Sequence, residues 1–510
     1  MTPFATELAA ARTAQESWAR VSVRDRLRSV RNLRALLVSR ADDICAAELA
    51  DVNRSTTDVV STDLLPTAAA LKFLEKRAAK LLAPKRISWW DQPTWLMGNR
   101  DAIHHRPWGA VGVIGTWNYP VYLNVVQIAQ ALVAGNAVLW KPSELVPRTS
   151  DITRELFRAA GFPTELLQML PATREAGPRL AETDVDHVVF TGSDAVGRKL
   201  ASRLGERLIP STLELSGCDA MFVLPDADLR MAARAAWFGL TLNRGQTCIA
   251  VRRIFVPRDK LDAFTAALAP LVRSVPLPLV MEAQKAQAMR LLEDATSRGA
   301  TILSNPSPQP PPLSGKGEKE DSVLTPPPRS GEGAGGRGSS PALAPTFLVN
   351  VPADAALCRE ACFSPVAGII PYDTIDNAVS LAKQSPFGLS ASVFTADPDK
   401  AQELAALIPS GSVVVNDVMA PTAHPAAPFG GRGASGWGVT QGADGLLAMT
   451  VPQVVTVHKG TFRPHFDEAA NPDPATSEII RGLLTWTHAR GLRAKLGGLW
   501  QLMRGARRKK

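Results

Sequence analysis

Short apolar runs that alternate with helical stretches constrain the fold of this chain more than any other feature. From Ala110 onward these runs end at Gly or Pro, and the clearest lie at residues 111–114, 137–140, 166–170 and 187–190. Runs of this length are typical of buried strands, and the helical stretches between them can serve as crossovers. The alternation therefore predicts a parallel sheet in a protein of the α/β class.

A second alternation of the same kind runs from about Glu214 to Phe429, with strand candidates at 221–224, 253–256, 367–370 and 412–415. The 510 residues also exceed what one hydrophobic core usually serves. The chain is therefore predicted to hold two α/β domains that join near Gly217, and ligand sites often lie at such joints. Ahead of both alternations, apolar residues at three- and four-residue spacing predict helices over residues 1–80.

The basic character of the chain is confined to its C-terminal segment. The formal net charge is +9, and residues 481–510 contain nine Lys or Arg and no acid. Because no basic cluster with interleaved aromatic residues precedes this segment, we expect no nucleic-acid partner. The segment predicts an amphipathic cationic helix, which suits an anionic membrane surface, the protein's own body or another subunit. Its apolar face carries Leu492, Leu496, Leu499, Trp500 and Met503.

The five cysteines are scattered and show neither CxxC nor Cys/His metal spacing. This pattern predicts no disulfide framework and no metal site. The N-terminal residues lack a basic stretch followed by an apolar run, and no apolar stretch reaches the roughly 18 residues that span a bilayer. We therefore expect a cytoplasmic protein.

Residues 305–345 form a compositional island with ten Pro and seven Gly. The island has almost no aromatic or β-branched side chains to bury, so its composition predicts a disordered insertion.

A lone thiol, Cys248, lies in the small-residue segment 245–249, just before an apolar stretch. A thiol acts as a nucleophile only as the thiolate. Most lone cysteines are buried and inert, so this residue indicates catalysis only together with others.

Those others form a resemblance. Gln246-x-Cys248 stands 34 residues after Glu214, which lies in the run Leu-Glu-Leu-Ser-Gly at 213–217. In this order and spacing the pair resembles the active-site base and nucleophile of the NAD(P)-dependent aldehyde dehydrogenase superfamily, over residues 5 to 458 apart from the insertion. Five further motifs match in the family's order: Thr-Trp-Asn-Tyr-Pro at 116–120, Lys-Pro-Ser-Glu at 141–144, Phe-Thr-Gly-Ser at 190–193, Pro-Phe-Gly-Leu at 386–389 and Pro-Phe-Gly-Gly at 428–431.

The resemblance implies a Rossmann-like dinucleotide-binding domain (1–84 and 109–217) and an α/β catalytic domain (218–446, with the insertion at 305–345). It also implies a small β extension for oligomerisation (85–108 and 447–458), followed by a basic tail at 459–510. A homodimer or homotetramer is expected on the same ground.

The resemblance also assigns roles to residues. Cys248 is expected to add to an aldehyde and form first a thiohemiacetal and then a thioester, with Glu214 as general base. The side-chain amide of Asn118 and the backbone N–H of Cys248 are expected to stabilise the oxyanion. NAD is favoured over NADP because a free 2′-hydroxyl fits beside Glu144 better than a phosphate, although NADP stays open. The expected cofactor-binding residues are Trp117, Lys141, Ser143, Glu144, Gly192, Ser193 and Phe363.

One part of the family pattern is missing. Where the family has a Glu that holds the nicotinamide ribose, this chain has Ala361, and Ser364 stands in place of a Gly. Two alternatives to aldehyde oxidation stay open: a noncatalytic or weakly active scaffold of the same fold, and a CoA-acylating dehydrogenase or thioesterase. Asn118, Glu214 and Cys248 argue against the scaffold, and Glu214 argues against the acylating enzyme.

Overall fold

The computed structural model describes residues 3–93, 96, 98–304, 341–459, 466 and 473–508. Helices and strands alternate through most of this length. The α-helices are α1 (Ala5–Arg20), α2 (Val23–Ser39), α3 (Ala41–Val52), α4 (Thr56–Val59), α5 (Leu65–Leu81), α6 (Tyr122–Ala134), α7 (Pro147–Ala159), α8 (Ala176–Ala181), α9 (Asp194–Glu206), α10 (Leu229–Thr241), α11 (Leu261–Leu268), α12 (Glu282–Ser297), α13 (Ala356–Arg359), α14 (Ile375–Ala382), α15 (Pro398–Leu407), α16 (Gly442–Ala448), α17 (Pro474–His488) and α18 (Leu492–Arg508).

The strands fall into two large sheets and three small ones. They are β1 (Lys85–Arg86), β2 (Asn99–Pro107), β3 (Ala110–Ile114), β4 (Ala137–Lys141), β5 (Leu167–Met169), β6 (His187–Thr191), β7 (Ser211–Glu214), β8 (Asp219–Val223), β9 (Val251–Pro257), β10 (Leu277–Pro278), β11 (Thr301–Ile302), β12 (Ala342–Leu343), β13 (Thr346–Val349), β14 (Val366–Tyr372), β15 (Phe387–Gly388), β16 (Ser390–Phe394), β17 (Ser412–Val415), β18 (Arg432–Gly433), β19 (Gly436–Trp437) and β20 (Thr450–His458).

The first large sheet has six strands in the order β19-β7-β6-β3-β4-β5. Five of them are parallel, and β19 adds antiparallel to β7. The second has seven strands in the order β11-β13-β14-β9-β8-β16-β17 and is parallel except for β11. The α/β fold with parallel sheets is therefore confirmed.

All eight strand candidates overlap observed strands, and helices cover most of residues 5–81, in agreement with the prediction. Most of the predicted insertion, residues 305–340, lies outside the described residues. The described chain resumes at Pro341, inside the predicted insertion, and Ala342–Leu343 pair with Leu277–Pro278.

The parallel strands of the first sheet bring the candidate residues to one edge. Lys141 ends β4, Glu214 ends β7, and β6 ends just before Gly192. The carboxyl ends of parallel strands share an edge, which is where ligands bind in open α/β sheets. Helix α6, buried along its whole length, follows the segment that holds Asn118.

The chain divides into two compact units, Met1–Ala83 with His104–Gln453, and Pro84–Ile103 with Val454–Lys510. The smaller unit contains most of a three-stranded sheet, β1-β2-β20, and an antiparallel pair formed by α17 and α18. Among the described residues, no helix combines the length and the apolar character needed to cross a membrane.

Candidate active site

The loop that carries Cys248 has an unusual backbone. Asn243, Arg244 and Gly245 have consecutive left-handed φ angles of 46°, 60° and 73°. A β-carbon at Gly245 would lie 2.7 Å from the backbone of Ser364 and Pro365, so only glycine fits there. Non-glycine residues in this region cost about 1 kcal/mol or more, a strain that persists only where the surrounding structure imposes it.

The side chain of Asn118 is fixed against this loop. Its Nδ2 donates to the carbonyl of Gln246 at 3.2 Å, and its Oδ1 accepts from the hydroxyl of Thr116 at 2.8 Å. In return, Nδ2 of Asn243 donates to the carbonyl of Asn118 at 2.9 Å. An amide nitrogen carries two hydrogens, and the bond to Gln246 uses one of them.

Tyr119 adds a second link between the two segments. Its hydroxyl lies 2.7 Å from Oγ1 of Thr247, the residue before the thiol. Burial raises the pKa of Tyr119 to about 12, so the phenol stays protonated at neutral pH. Asn118 and Tyr119 thus bond to Gln246 and Thr247, the two residues that precede Cys248.

Glu214 is buried at the end of β7. Its carboxylate accepts hydrogen bonds from the hydroxyl of Thr440 and from Nε2 of Gln127, the latter at 3.5 Å. Burial raises the pKa of Glu214 to about 7, although the hydrogen bonds from Thr440 and Thr191 act in the opposite direction. A carboxyl with this pKa can take and return protons near neutral pH, as a general base must.

The thiol of Cys248 is protonated in the resting protein. Burial raises its pKa to about 12, and the nearby carboxylates of Glu214 and Asp219 add to the shift. The thiol therefore needs a base to become nucleophilic. Glu214 is close enough to act electrostatically on Cys248.

The edge of the first sheet carries the residues predicted for the adenosine part of a dinucleotide. Nζ of Lys141 lies 3.1 Å from Oε2 of Glu144, and Nε of Arg174 lies 3.1 Å from Oε1. Burial favours the neutral carboxyl, but hydrogen bonds from its own amide and from Lys141 outweigh it and lower the pKa of Glu144. Ser143, which precedes Glu144, is buried, and its hydroxyl oxygen accepts a hydrogen bond from the backbone amide of Leu145.

Ser193 caps α9, since its Oγ accepts from the amide of Val196 at 3.4 Å. The preceding Gly192 has no space for a β-carbon, which would lie 2.4 Å from the ring of Phe190. Its amide donates to the carbonyl of Glu214. A helix N-terminus of this kind attracts a pyrophosphate, so these residues fit the dinucleotide that the sequence predicts.

At the opposite end of the predicted cofactor site, the rings of Trp117 and Phe363 meet edge to face with centroids 6.2 Å apart. Ala361 packs against an apolar cluster that contains Cys218 and Phe387. The neighbouring Glu360 forms an ion pair with Arg290 instead. Its carboxylate therefore does not take the place of the missing Glu.

A cavity of about 380 Å³ opens beside Cys248. Its wall includes Tyr119, Tyr122, Phe238 and Met419. The size lies within the range of small-molecule sites, which are mostly apolar with a few polar groups. The thiol thus faces a space that can hold an organic substrate.

The structure brings several predicted residues together: Asn118 with the Cys248 loop, Lys141 with Glu144, Gly192 with Glu214, and Trp117 with Phe363. Thr440, Gln127 and Asn243 were not predicted. They contact Glu214 or Asn118 from distant parts of the chain, and their residue types carry no signal of this role.

The site holds a thiol, a buried carboxyl with a pKa of about 7 and a fixed amide, next to a sheet edge suited to a dinucleotide. These are the groups that an oxidoreductase acting through a covalent cysteine adduct requires. A family model described as the aldehyde dehydrogenase family matches residues 4–325 and 330–455. The chain belongs to the aldehyde dehydrogenase family.

Individual relatives agree with this assignment. A Mycolicibacterium smegmatis protein, provisionally named succinate-semialdehyde dehydrogenase (NADP(+)), is 32% identical over 89% of this chain and 84% of its own length. The 4,4'-diapolycopene aldehyde oxidase of a Methylomonas species is 30% identical over 88% of this chain and 80% of that protein. The crystal structure of a Mycobacterium tuberculosis aldehyde dehydrogenase complexed with NAD+ matches with a TM-score of 0.78 and 28% identity, over 89% of this chain and 90% of that chain.

The protein is accordingly an NAD(P)-dependent aldehyde dehydrogenase with a Rossmann-like dinucleotide-binding domain and a catalytic domain. The predicted fold, enzyme class and cofactor are confirmed. Members of the family are generally oligomeric and bind an aldehyde substrate.

Proposed function

We propose that this protein oxidises an aldehyde to a carboxylic acid with Cys248 as nucleophile, Glu214 as general base and Asn118 as oxyanion donor. One observation carries the assignment: Cys248 lines a cavity of about 380 Å³ on a loop that Asn118 bonds through Gln246, and the charge of the buried Glu214, whose pKa is about 7, raises the pKa of its thiol. The pair matches a nucleophile that must lose a proton with a base that can accept one.

The proposed chemistry starts when the proton of Cys248 passes to Glu214 and Sγ bonds to the carbonyl carbon. The second amide hydrogen of Asn118 and the backbone N–H of Cys248 stabilise the resulting oxyanion; one such donor is typically worth about 3 kcal/mol. Bound at this site, NAD(P) supplies the two-electron acceptor for the reaction. Loss of the aldehydic hydrogen with its electron pair leaves a thioester at Cys248. Glu214 releases the proton that it took from Cys248 to solvent and then deprotonates the water that hydrolyses the thioester. The thiolate that leaves takes this second proton and restores the thiol of Cys248.

We assign the adenosine ribose to Lys141 and Glu144, with Ser143 beside them, and the pyrophosphate to Gly192 and Ser193. Trp117 and Phe363 would border the nicotinamide half. The Glu144 carboxylate favours the free 2′-hydroxyl of NAD over a 2′-phosphate. Arg174 shares the carboxylate of Glu144 and could pair with that phosphate, so NADP is the second cofactor to compare.

Turnover assays test this function directly. We expect the wild type to form reduced nucleotide with an aldehyde panel, and Cys248→Ala to lose at least about 10⁴-fold in kcat, as removal of a catalytic nucleophile does. Nucleotide binding without turnover of any aldehyde would support the scaffold alternative. Turnover that requires coenzyme A would support the acylating enzyme.

We propose the domain boundaries given by the family pattern, and a homodimer or homotetramer formed through the small sheet. Strand β20 lies at an edge of that sheet and exposes Val454, Val455 and Val457. Exposed apolar edge strands tend to pair with another chain. The double variant Val454→Lys with Val457→Lys should therefore be monomeric in light scattering. The control variant Ile302→Lys, at an exposed residue outside this sheet, should keep the oligomer of the wild type.

We also propose that the enzyme works in the cytoplasm and contacts anionic membrane surfaces through its tail. Helices α17 and α18 pack so closely that a β-carbon at Gly482 would lie 2.3 Å from the backbone of Leu502. With small residues at the contact, the large apolar side chains point outward, and Leu492 is 74% exposed. Ile480, Leu484, Leu496, Trp500 and Met503 are exposed as well.

Helix α18 also carries the basic residues Arg493, Lys495 and Arg507. Apolar and basic residues together are the composition of helices that lie in a lipid interface. We expect the full-length protein to sediment with phosphatidylserine vesicles and much less with phosphatidylcholine vesicles. Leu492→Asp with Leu496→Asp should reduce the binding at least tenfold, because burying each leucine stabilises by about 1.5–3 kcal/mol. Ile302→Asp is the matched control, and equal loss in both variants would contradict membrane contact by the tail.

A further inference from the structure

The cavity beside Cys248 has no charged wall. Among the described residues, none of the side chains that line it is Asp, Glu, Lys, Arg or His. Two of the polar side chains in the wall, Tyr122 and Gln441, have an oxygen atom without a hydrogen-bond partner. These atoms, Oη of Tyr122 and Oε1 of Gln441, are buried from solvent. A substrate in this space therefore meets mainly carbon.

The cavity also opens through apolar side chains. Leu65, at the start of α5, lines the cavity and is 62% exposed. Phe238, on α10, lines it as well and is 41% exposed. Large exposed apolar side chains at an opening favour a ligand whose outer part is apolar too.

A cation does lie behind the wall, but its two terminal nitrogens are engaged by this chain, and its remaining donor, Nε, is buried without a partner. The guanidinium of Arg54 sits 4.9 Å from the centre of the Tyr119 ring and is 1% exposed. It donates to Glu48 and to Thr62, both at 2.6 Å, and to Asp63. Asp63 in turn accepts from the backbone amide of Tyr122.

This cluster has no surplus positive charge for a substrate. Burial raises the pKa of both Glu48 and Asp63, whereas the guanidinium of Arg54 lowers both. One ionised carboxylate of the two is enough to balance Arg54. Arg244, the other nearby cation, donates to the carbonyls of Val52 and Asn53. Neither arginine is among the described residues that line the cavity.

We infer that the substrate is an aldehyde with an uncharged, apolar tail, aliphatic or aromatic, and that aldehydes carrying a second acidic group are excluded. The inference rests on the proposed function of Cys248 and names its substrate class. An ionised carboxylate buried without a partner costs several kcal/mol. The chain thus differs in preference from a succinate-semialdehyde dehydrogenase, although a relative bears that name.

Steady-state kinetics with propanal, pentanal, heptanal and succinate semialdehyde test the inference. Each added methylene buried in the cavity should raise kcat/KM about fourfold, from about 0.8 kcal/mol per methylene. We expect succinate semialdehyde to be at least 100-fold poorer than heptanal. A kcat/KM for succinate semialdehyde equal to or above that for pentanal would overturn the inference.

A charge introduced into the wall should reverse the preference. Thr422 lines the cavity, and its hydroxyl donates to the carbonyl of Met419. We expect Thr422→Lys to raise the ratio of kcat/KM for succinate semialdehyde over heptanal at least tenfold, whereas Thr422→Met should leave this ratio low. An equal change in both variants would show that shape and not charge sets the preference.

Alkylation of Cys248 separates failure of this inference from failure of the proposed function. Iodoacetamide labelling, followed by mass spectrometry, is run with 1-heptanol or 4-hydroxybutyrate as unreactive probes. Protection by heptanol alone supports the apolar site even if no aldehyde turns over, an outcome that would overturn only the proposed function. Protection by 4-hydroxybutyrate alone overturns the substrate class even if aldehydes are oxidised.

Discussion

The two sides of the candidate active site differ in how completely they are built. On the nucleophile side, Asn118, Tyr119 and Asn243 all bond to the loop around Cys248 or to one another. On the nicotinamide side, residue 361 is an alanine and Glu360 is engaged by Arg290. The chain therefore fixes the groups that act on the substrate carbonyl more firmly than those that would hold the cofactor ring.

The two sides are nevertheless joined by one buried cation. Arg252 donates to the carbonyls of Gly245 and Ser364, and the backbones of these residues are in close contact. A buried guanidinium with its donors satisfied by carbonyls holds two loops in a fixed relation. The absence of a carboxylate at position 361 thus affects hydrogen bonding to the cofactor, whereas Arg252 still fixes the position of the loop that contains Ser364.

After loss of the nucleophile itself, the largest expected effect concerns the base. Glu214→Gln should lower steady-state kcat about 10³-fold, within the 10²–10⁴ range for loss of general-base catalysis. Because Glu214 also takes the proton of Cys248 in the proposed first step, reduced nucleotide should form slowly from the start, and rapid mixing should show no burst. Glu182→Gln, at an exposed ion pair, is the control. Turnover of Glu214→Gln at the wild-type rate would remove Glu214 from the mechanism.

A somewhat smaller effect is expected for the oxyanion donor. Asn118→Ala should lower kcat about 10²–10³-fold, as loss of one such donor does. KM should change little, because the bond strengthens only as the oxyanion forms. Asn377→Ala, at the start of α14, should leave kcat unchanged. A change confined to KM would instead assign Asn118 to ground-state binding.

A third prediction concerns the pH profile. The hydrogen bond from Thr440 lowers the pKa of Glu214, which burial otherwise raises to about 7. Thr440→Val should therefore raise this pKa, so that the acid limb of kcat/KM moves to higher pH. Activity at pH 6 should fall several-fold while activity at pH 9 stays close to wild type. Thr265→Val, in α11, is the control, and an unmoved acid limb would assign that limb to another group.

Eight of the strands could be predicted from the sequence, and the residues proposed for the site could be named from it, because each depends on local signals. Strand bounds follow from apolar runs, and Cys248 and Glu214 stand in recognisable motifs. Thr440 and Gln127 depend on tertiary contacts, since they meet Glu214 from 226 and 87 residues away. Strand β19 is a similar case, because Gly436–Trp437 adds to the first sheet although it lies near the end of the second alternation.

Glycines in the C-terminal tail show a second limit of prediction from sequence, which concerns helix packing. By intrinsic propensity, Gly482, Gly498 and Gly505 each weaken a helix by about 1 kcal/mol. In the structure they lie where α17 and α18 approach most closely, since a β-carbon at each would come within 3 Å of the other helix. The intrinsic cost of a glycine is local, whereas the packing that it permits depends on a partner helix that propensity does not describe.

The smallest expected effect concerns the nicotinamide side, and it is a gain. Ala361→Glu would return a carboxylate to the position where the family pattern holds the nicotinamide ribose. We expect kcat/KM for the nucleotide to rise by up to about tenfold, or about 1.4 kcal/mol, which is near the lower end for a hydrogen bond to a charged group. Ala361→Gln should give less, because its amide is a weaker acceptor. If both variants lower kcat/KM equally, the apolar contacts of Ala361 with Cys218 and Phe387 matter more than the missing hydrogen bond. The nicotinamide side would then need no carboxylate at position 361.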